Sequence, residues 1–377
     1  MVNVAQNIQS GTIPIPPQNF TNDTPFSIAV ANNGLAFLST TFDGSEFGGR
    51  MLQINLATSA VTQRTDFYDH GTTTEVTVLR ASSDKSAIGI VAGDISSGPV
   101  FAYSVATNKF TPEKDTADFV SRVATNGGVI LANDIELELG ATLLQIGILP
   151  ATAEGQLLDV AVDPSGKVGY RSSAPIGAGG TNTVDVLDLQ HVLVTGSLPL
   201  GDTIGSTLPM GLGAGHMAIS GDGSLVAVIT DHGVSLVQPN PASFVPFTQF
   251  GSSVHLYTDR QPGSAWLGVK GYFVPAASSS IDLTTQNFTL NVGSYSLTVP
   301  GGSFSRNNGG YVYQGKTLSV TVQPGSGGGY DFNVAANGVT LNGSALPIPV
   351  TLAIGTNAGS VILSKTQAHF GPPGANQ

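Results

Sequence analysis

Cysteine is absent from the 377 residues, which excludes disulfides, thiolate metal sites and a cysteine nucleophile. Charge is scarce: Asp, Glu, Lys and Arg make up 10% of the chain, against about 25% in ordinary soluble domains. Soluble domains rely on mixed surface charge to stay dispersed, so this composition points to burial in an assembly or to a setting outside the cytosol. A basic excess is also missing. With a net charge of −11 and a pI near 4.7, the chain lacks the cationic face that a general nucleic-acid binder needs. No apolar run approaches the roughly eighteen residues of a transmembrane helix. The opening stretch MVNVAQNIQSGTIPIPP has neither a basic start nor an apolar core, so no secretory leader is visible. The expectation is a cytosolic protein or a chain that begins near its mature end.

Glycine and proline, by contrast, are plentiful, at 48 and 22 residues. They sit in short clusters between apolar runs, the punctuation of an all-β protein. Five segments share an alternating strand, a tight polar turn and a second strand: FSIAVANNGLAFLST (26–40), EVTVLRASSDKSAIGIVA (75–92), VSRVATNGGVILAND (120–134), LDVAVDPSGKVGYRSS (158–173) and HMAISGDGSLVAVITD (216–231). Their turns contain Asn33-Gly34, Asn126-Gly127 and Asp222-Gly223, pairs that accept positive φ and so close hairpins. Third strands follow at 51–61, 100–110, 142–152, 183–194 and 233–244. Turns that recur every 40 to 55 residues or so match four strands per blade of a β-propeller.

On DVAVDPSGKVGYRSS with TVDVLDL, and on GGVILAND, the chain resembles the YVTN family of β-propellers over residues 25–250. The namesake tetrapeptide is degenerate in every unit, and five blades are clear where lactonase-like relatives have seven. Six or seven become available if further strands complete the ring. The resemblance implies a propeller of the kind found in cell-envelope proteins, lactonase-like enzymes and binding modules. Two segments are candidates to close the ring: VPFTQF (245–250), finishing blade five, and the extended SGTIPIPP (10–17). Proline confines the latter to an edge.

From Gly251 the rhythm changes to short strands joined by Gly, Asn and Ser turns with no helical period, which predicts an Ig-like β-sandwich of seven to nine strands. The expected domains are an extended N-terminal segment (1–24), the propeller (25–250), the sandwich (251–366) and a tail (367–377). GYVYQGKT (310–317) spells a P-loop, but that motif needs a strand, a glycine-rich loop and a helix in succession. Nothing after Lys316 reads as a helix, so a strand and a turn are expected there. The sandwich carries Asp259, Asp282 and Asp331 against Arg260, Lys270, Arg306, Lys316 and Lys365. The net acidity therefore lies entirely in the first 250 residues, and opposite charge can draw subunits together head to tail.

Motifs for chemistry are few. There is no G-x-S-x-G and no H-E-x-x-H. Asp69-His70-Gly71 and Asp231-His232-Gly233 look like a repeated dyad but occupy different places in their units, so they read as turns. NDIELELG (133–140) sets Asp134, Glu136 and Glu138 at period two on one face. Such a trio can recruit calcium, but more commonly protects a sheet edge. Asp43-Gly44-Ser45-Glu46 is a weaker acidic turn. GAGGTN (177–182) reads as a loop, and the sequons at Asn19, Asn22, Asn287 and Asn342 matter only in a glycosylating source.

Two functions from different classes are expected. The first is an extracellular or cell-surface structural protein that assembles with copies of itself. There the strand Thr12, Ile13, Pro14, Ile15, Pro16 adds to a neighbour's sheet edge, giving a head-to-tail filament, with contact to a cell surface or polysaccharide. It needs no cofactor and no catalytic residue. The second is a ligand-binding or lactonase-like propeller, which requires Arg80, Arg122, Arg171 and His216 to converge on the channel.

Overall fold

The computed structural model describes residues 2–3, 8–9, 12–16, 23–42, 47–74, 76–93, 95, 97–116, 119–149, 155–175, 182–204, 215–239, 244–257, 265–293, 295–339, 348–363 and 368–370. Strands dominate it. Four antiparallel meanders of four strands follow one another at 23–63, 77–110, 123–148 and 155–199, and a fifth of three strands spans 217–237. The first strands of successive blades lie side by side: Asp23–Val30 with Thr77–Ala81, then Val123–Asn126, Gly155–Val162 and Met217–Ile219. This is the arrangement of propeller blades around a centre.

Alternation explains why the blades stack. Each strand sends odd and even side chains to opposite faces, and both faces of the first four blades are apolar, so each of these contributes to two cores. Phe37, Met51, Leu79, Ile90 and Tyr103 fill the space between blades one and two. Val78, Val91, Ile130 and Leu137 do the same between two and three. Leu131, Val160 and Leu187 join three to four, and Tyr170, Val184, Val226 and Val228 join four to five.

The polar turns tie the same neighbours together. Asn126, in the hairpin of blade three, accepts from the N–H of Ser83 in blade two at 2.6 Å and donates to the carbonyl of Val162 in blade four at 2.6 Å. Gly127 beside it has φ +55°, and a Cβ there would lie 2.5 Å from the Ser165 carbonyl oxygen. Both the positive φ and the close approach demand glycine. Asn126→Ala is expected to cost about 1–2 kcal/mol, because it strands the buried Val162 carbonyl and frees the Ser83 N–H on a different blade. Urea unfolding checks this.

Two strand assignments differ from the sequence reading. In blade three the third strand is Ile135–Glu138, and Leu144–Ile148 is the fourth. The acidic residues had disguised an interior strand as an edge, whereas it pairs on both sides. VPFTQF does not finish blade five. Val245–Pro246 pairs in parallel with Asn357–Leu363, and Gln249–Tyr257 pairs with Ala265–Val274, both in the second half of the chain.

That second half holds two sheets, of five and seven strands, around one core that includes Leu267, Phe273, Phe288, Leu290, Val320, Phe332, Val350 and Leu352. GYVYQGKT lies across the strand Gly310–Gln314 and the turn that leads to Leu318–Pro324, with which that strand pairs antiparallel. A strand and not a helix comes directly after Lys316 and Thr317, so no phosphate loop is formed. The two halves meet at the Asp188–Leu193 hairpin of blade four. There Leu193 packs with Phe244, Ala353 and Ala358, and Asn291 donates to the Val192 carbonyl at 3.0 Å.

Candidate functional site

The first strands that line the centre carry charged residues inside apolar runs. Arg80 ends such a strand in blade two, Arg122 precedes one in blade three, Asp159 lies within one in blade four, and His216 precedes one in blade five. The Asp159 carboxylate is taken up by backbone. Its Oδ2 accepts the N–H groups of His216 and Met217 at 2.6 and 2.8 Å, and its Oδ1 accepts from Val160 N–H at 2.9 Å. A buried carboxylate satisfied in this way acts as a clamp between blades four and five.

Arg122 is buried and its charge is fixed in place. Its Nε donates to the Leu158 carbonyl and its Nη1 to that of Ser121 at 3.1 Å. Burial holds the guanidinium below its ordinary pKa, with Asp159 opposing and Arg80 adding to that effect. Arg80 reaches from blade two to blade five, so that a Cβ on Gly215 would lie 1.9 Å from its Nη2. Arg80 makes no hydrogen bond or ion pair among the described residues. His216 is 4% exposed, and its Nε2 has no hydrogen-bond partner among the described residues. Burial pushes the imidazole below its ordinary pKa; Asp159 opposes this and the two arginines reinforce it. The ring is therefore neutral at pH 7.

Three of the four sequence candidates thus converge, and Arg171 does not. It is 1% exposed and spans blades three and four, with Nε on Asp185 at 2.8 Å and Nη1 on Asp134 at 2.6 Å. Asp159 was missed, although a lone acid inside the apolar run LDVAV was a readable signal.

The acidic trio is distributed over three environments. Asp134 engages Arg171, Glu138 is exposed, and Glu136 is 2% exposed with Oε2 unpartnered. Burial, helped by the charge of Asp188, pushes the Glu136 carboxyl up to about 8. Among the described residues no group of three or more His, Cys, Asp or Glu is placed to hold a metal. Asp43–Glu46 and residues 177–181 lie outside the described residues. His70 and Asp69 form a turn of positive φ. His232, on the turn after Val226–Thr230, pairs with Asp202 at 2.7 Å, and His191 pairs with Asp188 at 2.8 Å. Both dyad histidines therefore sit in turns.

The other notable surface is the open side of the blade ring. No packing comparable to that between successive blades joins blade five to blade one among the described residues. Ile28 of blade one is 58% exposed, and Val234 and Leu236 of blade five are 61% and 64% exposed. Blade five has no fourth strand among the described residues, which leaves Gly233–Val237 at its edge. Thr12–Pro16 is extended but is not paired as a strand. Ile13 and Ile15 lie half-buried on the outer face of blade one, against Ala36, Leu38, Leu52 and Ile54, and Arg50 holds the Pro16 carbonyl at 2.8 Å.

No protein-family model matches the chain, and no curated protein matches it. Solved structures similar to it include a hydrazine synthase of Kuenenia stuttgartiensis, 11% identical, with TM-score 0.41 over 69% of this chain and 80% of that one. A Dos1 propeller is 12% identical, with TM-score 0.37 over 84% and 69%. The periplasmic gluconolactonase of Pseudomonas aeruginosa is 14% identical, with TM-score 0.34 over 88% and 98%. At such scores the likeness carries no functional argument, and the propeller-like architecture rests on the order and packing of this chain's own sheets.

Proposed function

We propose that the protein is a structural subunit, working outside the cell or at its surface, that assembles with copies of itself through the open side of the blade ring. The observation that carries this reading is the edge strand Gly233–Val237 with Val234 and Leu236 exposed. Apolar side chains beside a bare row of backbone donors and acceptors invite strand addition. The occupant is the Thr12–Pro16 segment of the next copy. In a strand, consecutive residues turn their N–H and C=O groups to opposite sides, so Pro14 and Pro16 remove the donors from one side only. Ile13 and Ile15 keep theirs, which suits a strand that pairs once and ends a sheet. Donation in trans exchanges the half-buried seat on blade one for edge pairing on blade five, and repeated head to tail it need not close. Descent of the blades from YVTN repeats and an Ig-like second domain are part of the same proposal, as is the sparse surface charge of an assembled protein.

Deleting residues 1–17 is expected to convert filaments, seen by electron microscopy and light scattering, into dispersed subunits, and Leu236→Lys to do the same. Normal assembly by the truncated chain would eliminate donation in trans. A full-length protein that stays monomeric at high concentration would eliminate assembly altogether.

A further inference from the structure

The centre of the blade ring holds an arrangement that the assembly reading does not use. Arg122 and Asp159 are committed to neighbours in and beside the first strands of blades three to five. Half-buried Arg80 makes no hydrogen bond or ion pair among the described residues, and the nearly buried His216 leaves Nε2 unpartnered. A buried polar atom without a partner is uncommon and calls for an explanation, of which an absent ligand is one. Two guanidinium charges set against one carboxylate, beside a neutral imidazole, leave one unit of positive charge.

We propose that this centre binds a small organic monocarboxylate. The planar fork of Arg80 takes the two carboxylate oxygens, and Nε2 of His216, in its N–H tautomer, donates a further hydrogen bond. The charge count selects a monoanion, because a dianion leaves an excess negative charge in a partly desolvated channel. Asp159 takes no part in recognition, since its oxygens are already occupied by three backbone N–H groups. Its task is to hold the strand that carries His216 at the distance Arg80 spans. Among the described residues the site holds no nucleophile, and His216 spends Nε2 on the carboxylate, so the assignment is binding and not hydrolysis. The site lies where Arg80 of blade two meets Gly215 and His216 of blade five, and it stands or falls independently of assembly.

The test is a titration of the full chain with acetate, pyruvate, succinate, inorganic phosphate and the neutral ester methyl acetate, followed by calorimetry and by the imidazole NMR resonances of His216. Acetate and pyruvate are expected to saturate with Kd of about 1–10 mM, the range open to ligands of so few atoms, and to shift the His216 signals. Methyl acetate should do neither. Arg80→Gln should weaken binding at least tenfold with an unchanged melting temperature, and Arg80→Lys should retain part of it. Preference for phosphate over every carboxylate would mark an inorganic-anion site and overturn the proposal. So would equal binding of the ester, unchanged affinity in Arg80→Gln, or the absence of any saturable response.

Discussion

Glu136→Gln should make the protein more stable at pH 7, by about 3 kcal/mol, although it removes a native side chain from the core. Glu136 lies on the interior strand of blade three, opposite Leu131 and Gly147. Val192 covers Gly147 so closely that a Cβ there would meet its Cγ1 at 2.6 Å. The carboxyl is thus roofed by the blade-four hairpin that carries Asp188. A carboxyl held up to about 8 keeps in the folded state a proton that the unfolded chain releases near pH 4.5. Between those two values the unfolded state binds fewer protons, so stability falls as pH rises through the window and levels off above it. Glutamine cannot ionise and lacks this slope. The two proteins should therefore be closest in stability near pH 4.5 and should diverge up to pH 8. Taking the difference between them removes the opposite contribution of His216, whose lowered pKa costs stability as pH falls below about 6.5. Urea unfolding at pH 5, 7 and 9 reads the effect. Parallel profiles would show that Glu136 ionises normally within the fold.

Arg171→Met should cost about 3–5 kcal/mol, the loss expected when one partner of a buried ion pair is removed. Arg171 is the largest fully buried side chain of the described residues, and it is held between Asp185 of its own blade and Asp134 of the preceding one. Methionine fills most of the volume, so the expected cost arises from the Asp185 carboxylate, which is 6% exposed and is left without its counter-charge. The double variant Arg171→Met with Asp185→Asn should recover more than half of the loss, because the stranded charge disappears together with its partner. A single-variant cost below about 1 kcal/mol, or a double variant no better than the single, would mean that packing and not charge is what Arg171 supplies.

Those two residues also mark the limit of sequence reading. Glu136 and Arg171 look like surface residues by type, and Glu136 was placed with Asp134 and Glu138 on one acidic face. Period two applies to Glu136 and Glu138 on the strand, while Asp134 falls in the turn before it. It says nothing of what covers their side, and here blade four covers part of it. The P-loop spelling was the reverse case: local context, with no helical pattern after Lys316, was enough to remove it, and the hairpin at 310–324 has that form.

The sequence by itself determined the all-β class, the five repeated units, the hairpin turns at Asn33-Gly34, Asn126-Gly127 and Asp222-Gly223, and the change of rhythm near residue 250. Each of these follows from interactions within a few residues: alternation, positive φ at glycine, and the spacing of turns. Only the tertiary structure decided that Val245–Pro246 leaves blade five for the second half, that Arg80, Arg122, Asp159 and His216 meet while Arg171 pairs elsewhere, and that one face of blade five stays bare among the described residues. These outcomes depend on which strands far apart in the sequence lie side by side, as Val245 lies beside Asn357, and alternation is the same whichever neighbour a strand finds.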